Sequence, residues 1–320
     1  MSTTTRLWHA SALMLLCACN RNTPRAHGEA TTARAATSPA QAPSPTRLIS
    51  LPVSAYLPSL ALDGDDVYLL TPKAGYRLTA GKPPEKIDLE LGNGSVLAES
   101  GIVYWSKGAI WNAAKHGNSV WRLASVPKQP EYLVTSGVGI AWFDRVDDGT
   151  YRIQSLSGGK VRVLTTQKDD ISALHMIHEW VFYVRRAKDN TWRIGRVHVT
   201  GGEPVYTDSR SGPTPSQLTG TEHVAYYDMD KSEIHQLTTD LKSENLWARD
   251  FVCSPIVEAK HIFCARVEGL FELPADNHVP KPLTFGRRDT ITLLRANSKH
   301  VVWIVDLGAN QLAVDTLPVE

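Results

Sequence analysis

The chain runs to 320 residues, enough for one large domain or two ordinary ones, and its 42% apolar and 21% charged content is close to the globular average. Its 34 basic and 33 acidic side chains leave a formal net charge of +1, which removes the electrostatic ground for nucleic acid or an anionic membrane surface as the main partner. Beyond the N-terminus no run of about 18 apolar residues occurs, so no later segment reads as a membrane-spanning helix.

In chain order, the first feature is a leader. Arg6 supplies a thin positive region, and Leu7–Leu16 is an apolar stretch of signal-peptide length. Leu16-Cys17-Ala18-Cys19 then resembles a bacterial lipobox, with an aliphatic residue, a tolerant position, a small residue and the cysteine. The resemblance implies diacylglyceryl transfer to the Cys19 sulfur, removal of residues 1–18 as a signal peptide, and acylation of the new amino terminus. Several acyl chains anchor stably where one is marginal. Asn20, rather than an aspartate, follows Cys19 and favours the outer membrane within the bacterial cell envelope. Asn20–Thr46 is rich in Ala, Thr, Pro and Ser and lacks large apolar residues, so from Cys19 to Thr46 we expect a lipidated, disordered tether.

The body, residues 47–320, repeats. A turn residue, one or two β-formers and an aromatic recur at Asp66-Val67-Tyr68, Ile102-Val103-Tyr104, Ile140-Ala141-Trp142, Val181-Phe182-Tyr183, Val224-Ala225-Tyr226, Ile262-Phe263-Cys264 and Val301-Val302-Trp303. The last residues of these motifs are 36, 38, 41, 43, 38 and 39 positions apart. Seven units near a 40-residue period, without helical periodicity, predict an all-β fold: a seven-bladed β-propeller of four-stranded antiparallel blades. Only the sixth unit departs, with Cys264 in the aromatic place.

Flanking residues complete the blades. The fourth unit reads as strands Ile171–Ile177, Trp180–Arg186, Trp192–Val199 and Glu203–Thr207. The fifth repeats this with Ser216–Thr221, His223–Asp228, Glu233–Thr239 and Glu244–Arg249. The seventh offers Ile291–Ser298, His300–Asp306 and Gln311–Leu317, one strand short, and we expect Arg47–Val53 to supply the missing strand and close the ring. With Val103-Tyr104-Trp105, Ala141-Trp142-Phe143-Asp144 and Ala225-Tyr226-Tyr227-Asp228, the repeat resembles the YWTD-like and TolB-like propellers of bacterial envelope proteins.

Few residues point to chemistry. The recurrent aromatics read as filling between blades, and Asp144, Asp228 and Asp306 as caps for the loops that follow them. His223, His261 and His300 occupy one hairpin corner in three successive blades, a pattern that would suit a three-histidine metal site if the corners converged. Cys253 and Cys264 flank a hairpin expected at Glu258–Ala259, as one bridge in an oxidising compartment or as two buried thiols. The insertion Ser106–Ser119, read as the loop between strands two and three of blade two, carries Trp111 and His116; the alternatives are that Trp111 folds back as core or that Ala109–Trp111 is strand. That reading sets them on one face with Asp147, Asp148, Arg185, Arg186, Asp230, Arg287 and Arg288, as a surface for a partner protein or envelope polymer. No Gly-x-Ser-x-Gly elbow, phosphate-binding glycine loop or His-Glu-x-x-His is present. The expectation is a monomeric, non-enzymatic binding or scaffold module without a cofactor, touching the membrane only through the Cys19 lipid. The alternative is a metal-dependent, lactonase-like hydrolase working at the central channel.

Overall fold

The computed structural model describes residues 44–52, 58–91, 94–146, 148–266, 268–275, 279–284, 290–308 and 311–319. The leader, Cys19 and nearly all of the tether, along with Asp147, Arg287 and Arg288, lie outside them. The described residues form strands and turns without a helix, arranged as seven antiparallel sheets in a seven-bladed β-propeller. Blades one to six span 59–87, 96–125, 132–167, 170–211, 219–248 and 256–282. Blade seven spans 290–318 and is completed by Thr46–Pro52, which pairs antiparallel with Gln311–Pro318 as the expected outer strand. Across that closure Arg47 Nε donates to Asp315 Oδ1 at 2.5 Å, tying residues 268 apart in the chain.

Blades four, five and seven depart little from the expected strands. Two differences matter. The fourth strand of blade four is only Val205–Tyr206, and Arg210–Ser211 pairs beside it on the same third strand. The expected first strand of blade five reduces to a single bridge, Thr219 to Ala225, leaving a three-stranded sheet.

The core is seven apolar clusters, one between each pair of neighbouring blades, including the pair seven and one that closes the ring. Along each second strand alternate side chains face the preceding and the following blade, as a pleat requires. Tyr104, Trp142, Tyr183, Tyr226, Cys264 and Trp303 all face the preceding blade. Blade one is out of phase: Val67 and Leu69 face blade seven, and Tyr68 turns forward to join Tyr104 against blade two. A one-residue offset between motif and pleat exchanges the two faces of a strand. Two interfaces therefore lack a motif ring. Between blades seven and one, Leu48, Ile49 and Leu51 of the closing strand add apolar bulk. Between blades five and six the place is taken by Cys264, disulfide-bonded to Cys253 with Cα atoms 5.6 Å apart.

Of the three capping aspartates, Asp228 accepts from the Asp230 amide and Asp306 from the Gly308 amide, as expected. Asp144 does something else: fully buried, it takes two hydrogen bonds from Arg152 on the adjacent strand and one from Gln154.

Candidate functional site

A meander of four strands per blade puts the first-to-second and third-to-fourth connections on one face, here the lower, and the remaining connections on the upper face. This divides the residues expected to form one contact surface. Ala109–Ala113 is a strand, reached by a tight turn at Lys107 and Gly108, both with positive φ. Trp111 lies within it, half-buried against the cluster between blades one and two, its Nε1 donating to the Ser106 carbonyl at 3.0 Å. His116 follows in the next connection, on the lower face, with Nδ1 3.3 Å from Glu85. Arg185 and Arg186 end the second strand of blade four on the upper face, where Arg185 pairs with Asp169 and Arg186 bonds Asn190. The insertion is thus a strand between two short turns, because Lys107-Gly108 supplies the left-handed pair that a two-residue hairpin needs. Trp111 and His116 do not share a face with the arginines.

The three histidines do occupy the lower face, at the same corner of successive blades, but they do not converge. His261 pairs with Glu272 on its own sheet, and His300 Nε2 stands 3.5 Å from Asp65 of blade one. Among the described residues no three His, Cys, Asp or Glu side chains come together as a metal site. His223 is different: it stands at the lip of a cleft.

That cleft, of about 860 Å³, opens between blades five and six. Glu222, His223, Ala259 and Lys260 from two first-to-second hairpins form its lip, and Gln236, Leu246, Trp247 and Glu258 line it. It lies at the interface where the disulfide stands in place of a ring. Its volume falls in the range of small-ligand pockets, roughly 300–1,000 Å³.

The inner strands position Glu258. His175 of blade four donates from Nε2 to the Gly220 carbonyl at 2.8 Å. Burial pushes the His175 imidazole down to about 4, so it is neutral near pH 7 and carries its proton on the nitrogen that donates. Gly220 has φ +140°, and a Cβ there would stand 1.7 Å from the His223 carbonyl oxygen, so the bend excludes any side chain. The bend aims the Thr221 amide at Glu258 Oε2, 2.8 Å away, and the Glu258 amide in turn donates to Thr219 Oγ1 at 3.3 Å. Blades four, five and six are linked through this one turn.

Glu258 is 6% exposed, and no ion pair reaches it from the described residues. Burial pushes its carboxyl up to about 7, and the neighbouring Glu222 adds to the rise against the Thr221 hydrogen bonds. Gln236, on the third strand of blade five, is 8% exposed. It shares its side of that strand with Ile234, which packs toward blade six, and no described side chain or backbone group bonds its amide. Glu244, at the cleft's outer edge, is committed elsewhere. Its own burial would raise it, but hydrogen bonds from His235, Arg210 and Tyr226 hold it well below the usual carboxylate range. Tyr226 Oη donates to Glu244 Oε1 at 2.5 Å, and burial with this bond pushes the phenol up.

Sequence reasoning missed both Glu258, taken as a hairpin position, and Gln236, taken as an ordinary strand residue. The usable signal was Cys264, the single break in the aromatic series.

No family model matches the sequence, and no curated protein does. Solved propellers do match by shape. An oligogalacturonate lyase from Vibrio parahaemolyticus aligns at TM-score 0.58 and 11% identity over 85% of this chain and 92% of that one. PorZ, a surface component of the type-IX secretion system of Porphyromonas gingivalis, aligns at 0.55 and 12% over 83% of this chain, which spans 38% of PorZ. A candidate TolB from Agrobacterium tumefaciens aligns at 0.46 and 17% over 62% of this chain and 80% of that one. At these identities the likeness is one of fold, and the functions of the matched proteins vary.

Proposed function

We propose that this chain is a lipid-anchored protein of the bacterial envelope, tethered through Cys19 to the outer membrane as a monomer. Its propeller is a non-enzymatic binding module that seats an envelope protein in the cleft between blades five and six. The lipobox, the Pro- and Ala-rich tether and the balanced charge support the placement. The observation that carries the binding reading is a cleft lined by two largely buried polar residues, Gln236 and Glu258, whose amide and outer carboxylate oxygen meet the cleft and take no bond from a described group. Polar atoms at the base of a cleft give a ligand directional hydrogen bonds in surroundings less polar than open water.

The test is crosslinking and capture from envelope membranes with the full-length lipidated protein and a Cys19→Ser control. A stoichiometric partner lost from Glu258→Gln and Gln236→Leu but kept by Arg186→Ala supports the reading. Capture indifferent to both cleft variants overturns it. One observation favours a second reading, a hydrolase acting in this cleft. A carboxyl near neutrality is matched to general acid–base work. That reading takes over if esters or lactones are turned over by the protein and Glu258→Gln abolishes the activity.

A further inference from the structure

We infer that the cleft between blades five and six is a seat for a basic side chain, lysine or arginine, on an extended peptide segment of the partner. The cation would lie between Glu258 Oε1 and the amide oxygen of Gln236. This rests on the binding reading above and names the ligand class that reading leaves open.

Three features specify the class. Glu258 Oε2 is occupied by the Thr221 amide, but Oε1 accepts from no described group, and the residue lines the cleft. Lys260, on the same hairpin, is exposed at the lip and forms no ion pair with it. Glu258 offers the cleft a carboxylate oxygen that no described cation pairs, and a charge-assisted hydrogen bond is the strongest interaction such an oxygen can accept. Gln236 supplies a neutral acceptor alongside, which an ammonium or guanidinium with several donors can use at the same time. An anionic ligand would meet Glu222 and Glu258 together, with only Lys260 and His223 to offset them.

The peptide source follows from the wall. Four consecutive residues, Glu244 to Trp247, line the cleft, and they belong to the outermost strand of blade five. The outer edge of that strand pairs with no other strand among the described residues, and such an edge offers alternating N–H and C=O groups to an extended chain. Leu246 and Trp247 give the aliphatic stem of the basic residue an apolar surface.

The titrating groups around the seat set a direction. Glu222 and His223 face it from blade five, Lys260 from the same hairpin, Glu244 from the outer strand, and the His261–Glu272 pair stands on the neighbouring strands of blade six. Because burial holds the Glu258 carboxyl near 7, a cation must displace its proton, so binding weakens as pH falls.

The experiment titrates the full-length chain in detergent by calorimetry with the pentapeptide acetyl-Ala-Ala-Lys-Ala-Ala-amide, its arginine counterpart, and the same peptide carrying Nε-acetyl-lysine. We expect the charged peptides to bind at least about tenfold tighter than the acetylated one at pH 8, with Glu258→Gln erasing that difference. Between pH 8 and pH 5 the charged peptides should weaken by roughly a hundredfold, about tenfold per unit below the carboxyl's midpoint. Equal binding of charged and acetylated peptides, or a Glu258→Gln variant that keeps the preference, overturns the inference. Tighter binding of a glucosamine tetramer than of the peptides overturns the peptide source. Membrane capture with the same variants separates the two levels: if cleft variants lose the partner while the charged peptides show no preference, the basic-residue inference falls and the binding reading stands.

Discussion

Replacing Glu258 with glutamine should stabilise the protein at neutral and alkaline pH, although it removes a charged hydrogen-bond acceptor. The native carboxyl holds its proton up to a pH of about 7, whereas in the unfolded chain it releases it near the ordinary value of 4.5. Between those values the native state binds more protons than the unfolded one, so stability falls as pH rises through that window. The rise from 4.5 to about 7, at about 1.4 kcal/mol per pH unit, sets an upper bound of about 3 kcal/mol on the cost of the ionised carboxylate above pH 7, and none below pH 4.5. The carboxyl borders the open cleft, so solvent screening reduces this to about 1–2 kcal/mol. Glutamine keeps an amide oxygen for the Thr221 N–H and never ionises. Thermal unfolding of both proteins at about pH 4 and pH 8 reads the effect directly. The two should melt together at the acid end, and the variant should melt roughly 3–6 °C higher at the alkaline end. Parallel melting curves at every pH, or a variant less stable at pH 8, would refute the account of Glu258 as an uncompensated buried acid.

Three other outcomes follow from the geometry. Replacing Cys253 and Cys264 with serine opens a loop closed over 11 residues and should cost about 3 kcal/mol in denaturant unfolding; equal midpoints with and without reductant would contradict it. Arg47→Ala leaves the Asp315 carboxylate buried at the ring's closure and should lower stability by about 2 kcal/mol, with early proteolysis near residue 46 as its signature. Trp111→Ala should lower stability by about 2 kcal/mol and leave membrane capture intact, since the ring packs between blades one and two; loss of capture by a fully stable variant would restore Trp111 as a contact residue.

The repeat made the architecture readable because each blade must present a buried second strand, and seven such strands at a steady period admit few other folds. The closing strand was readable for a related reason: blade seven was one strand short, and Thr46–Pro52 was the unassigned β-like run. Periodicity does not carry phase, however, and Tyr68 faces the opposite interface from its counterparts. It also does not identify a tight turn without Asn-Gly or Asp-Gly, so a loop from Ser106 and a strand at Ala109–Trp111 both fit the sequence, and the Lys107-Gly108 turn decides for the strand. The cleft was the least legible part. Glu258 and Gln236 are unremarkable in sequence, and their character comes from burial and from the Gly220 bend, both products of three blades meeting. What the sequence did carry was a vacancy in a pattern, the cysteine at 264, at the interface where the cleft opens.

The clasp that completes blade seven also constrains when the ring can form. Its outer strand, Thr46–Pro52, is the first described strand in the chain and its partner, Gln311–Pro318, the last, so this pairing has the longest sequence separation in the fold. Contacts of that kind are slow, because the loop-closure entropy of the whole chain precedes any gain from them. A chain emerging amino end first holds that strand with its edge unsatisfied until some 260 further residues have followed it. During that interval every blade can form its hairpins, but the interface between blades seven and one has no second wall. A chaperone that shields this edge would act on yield, and a truncation of the final strand would leave six local meanders and no ring.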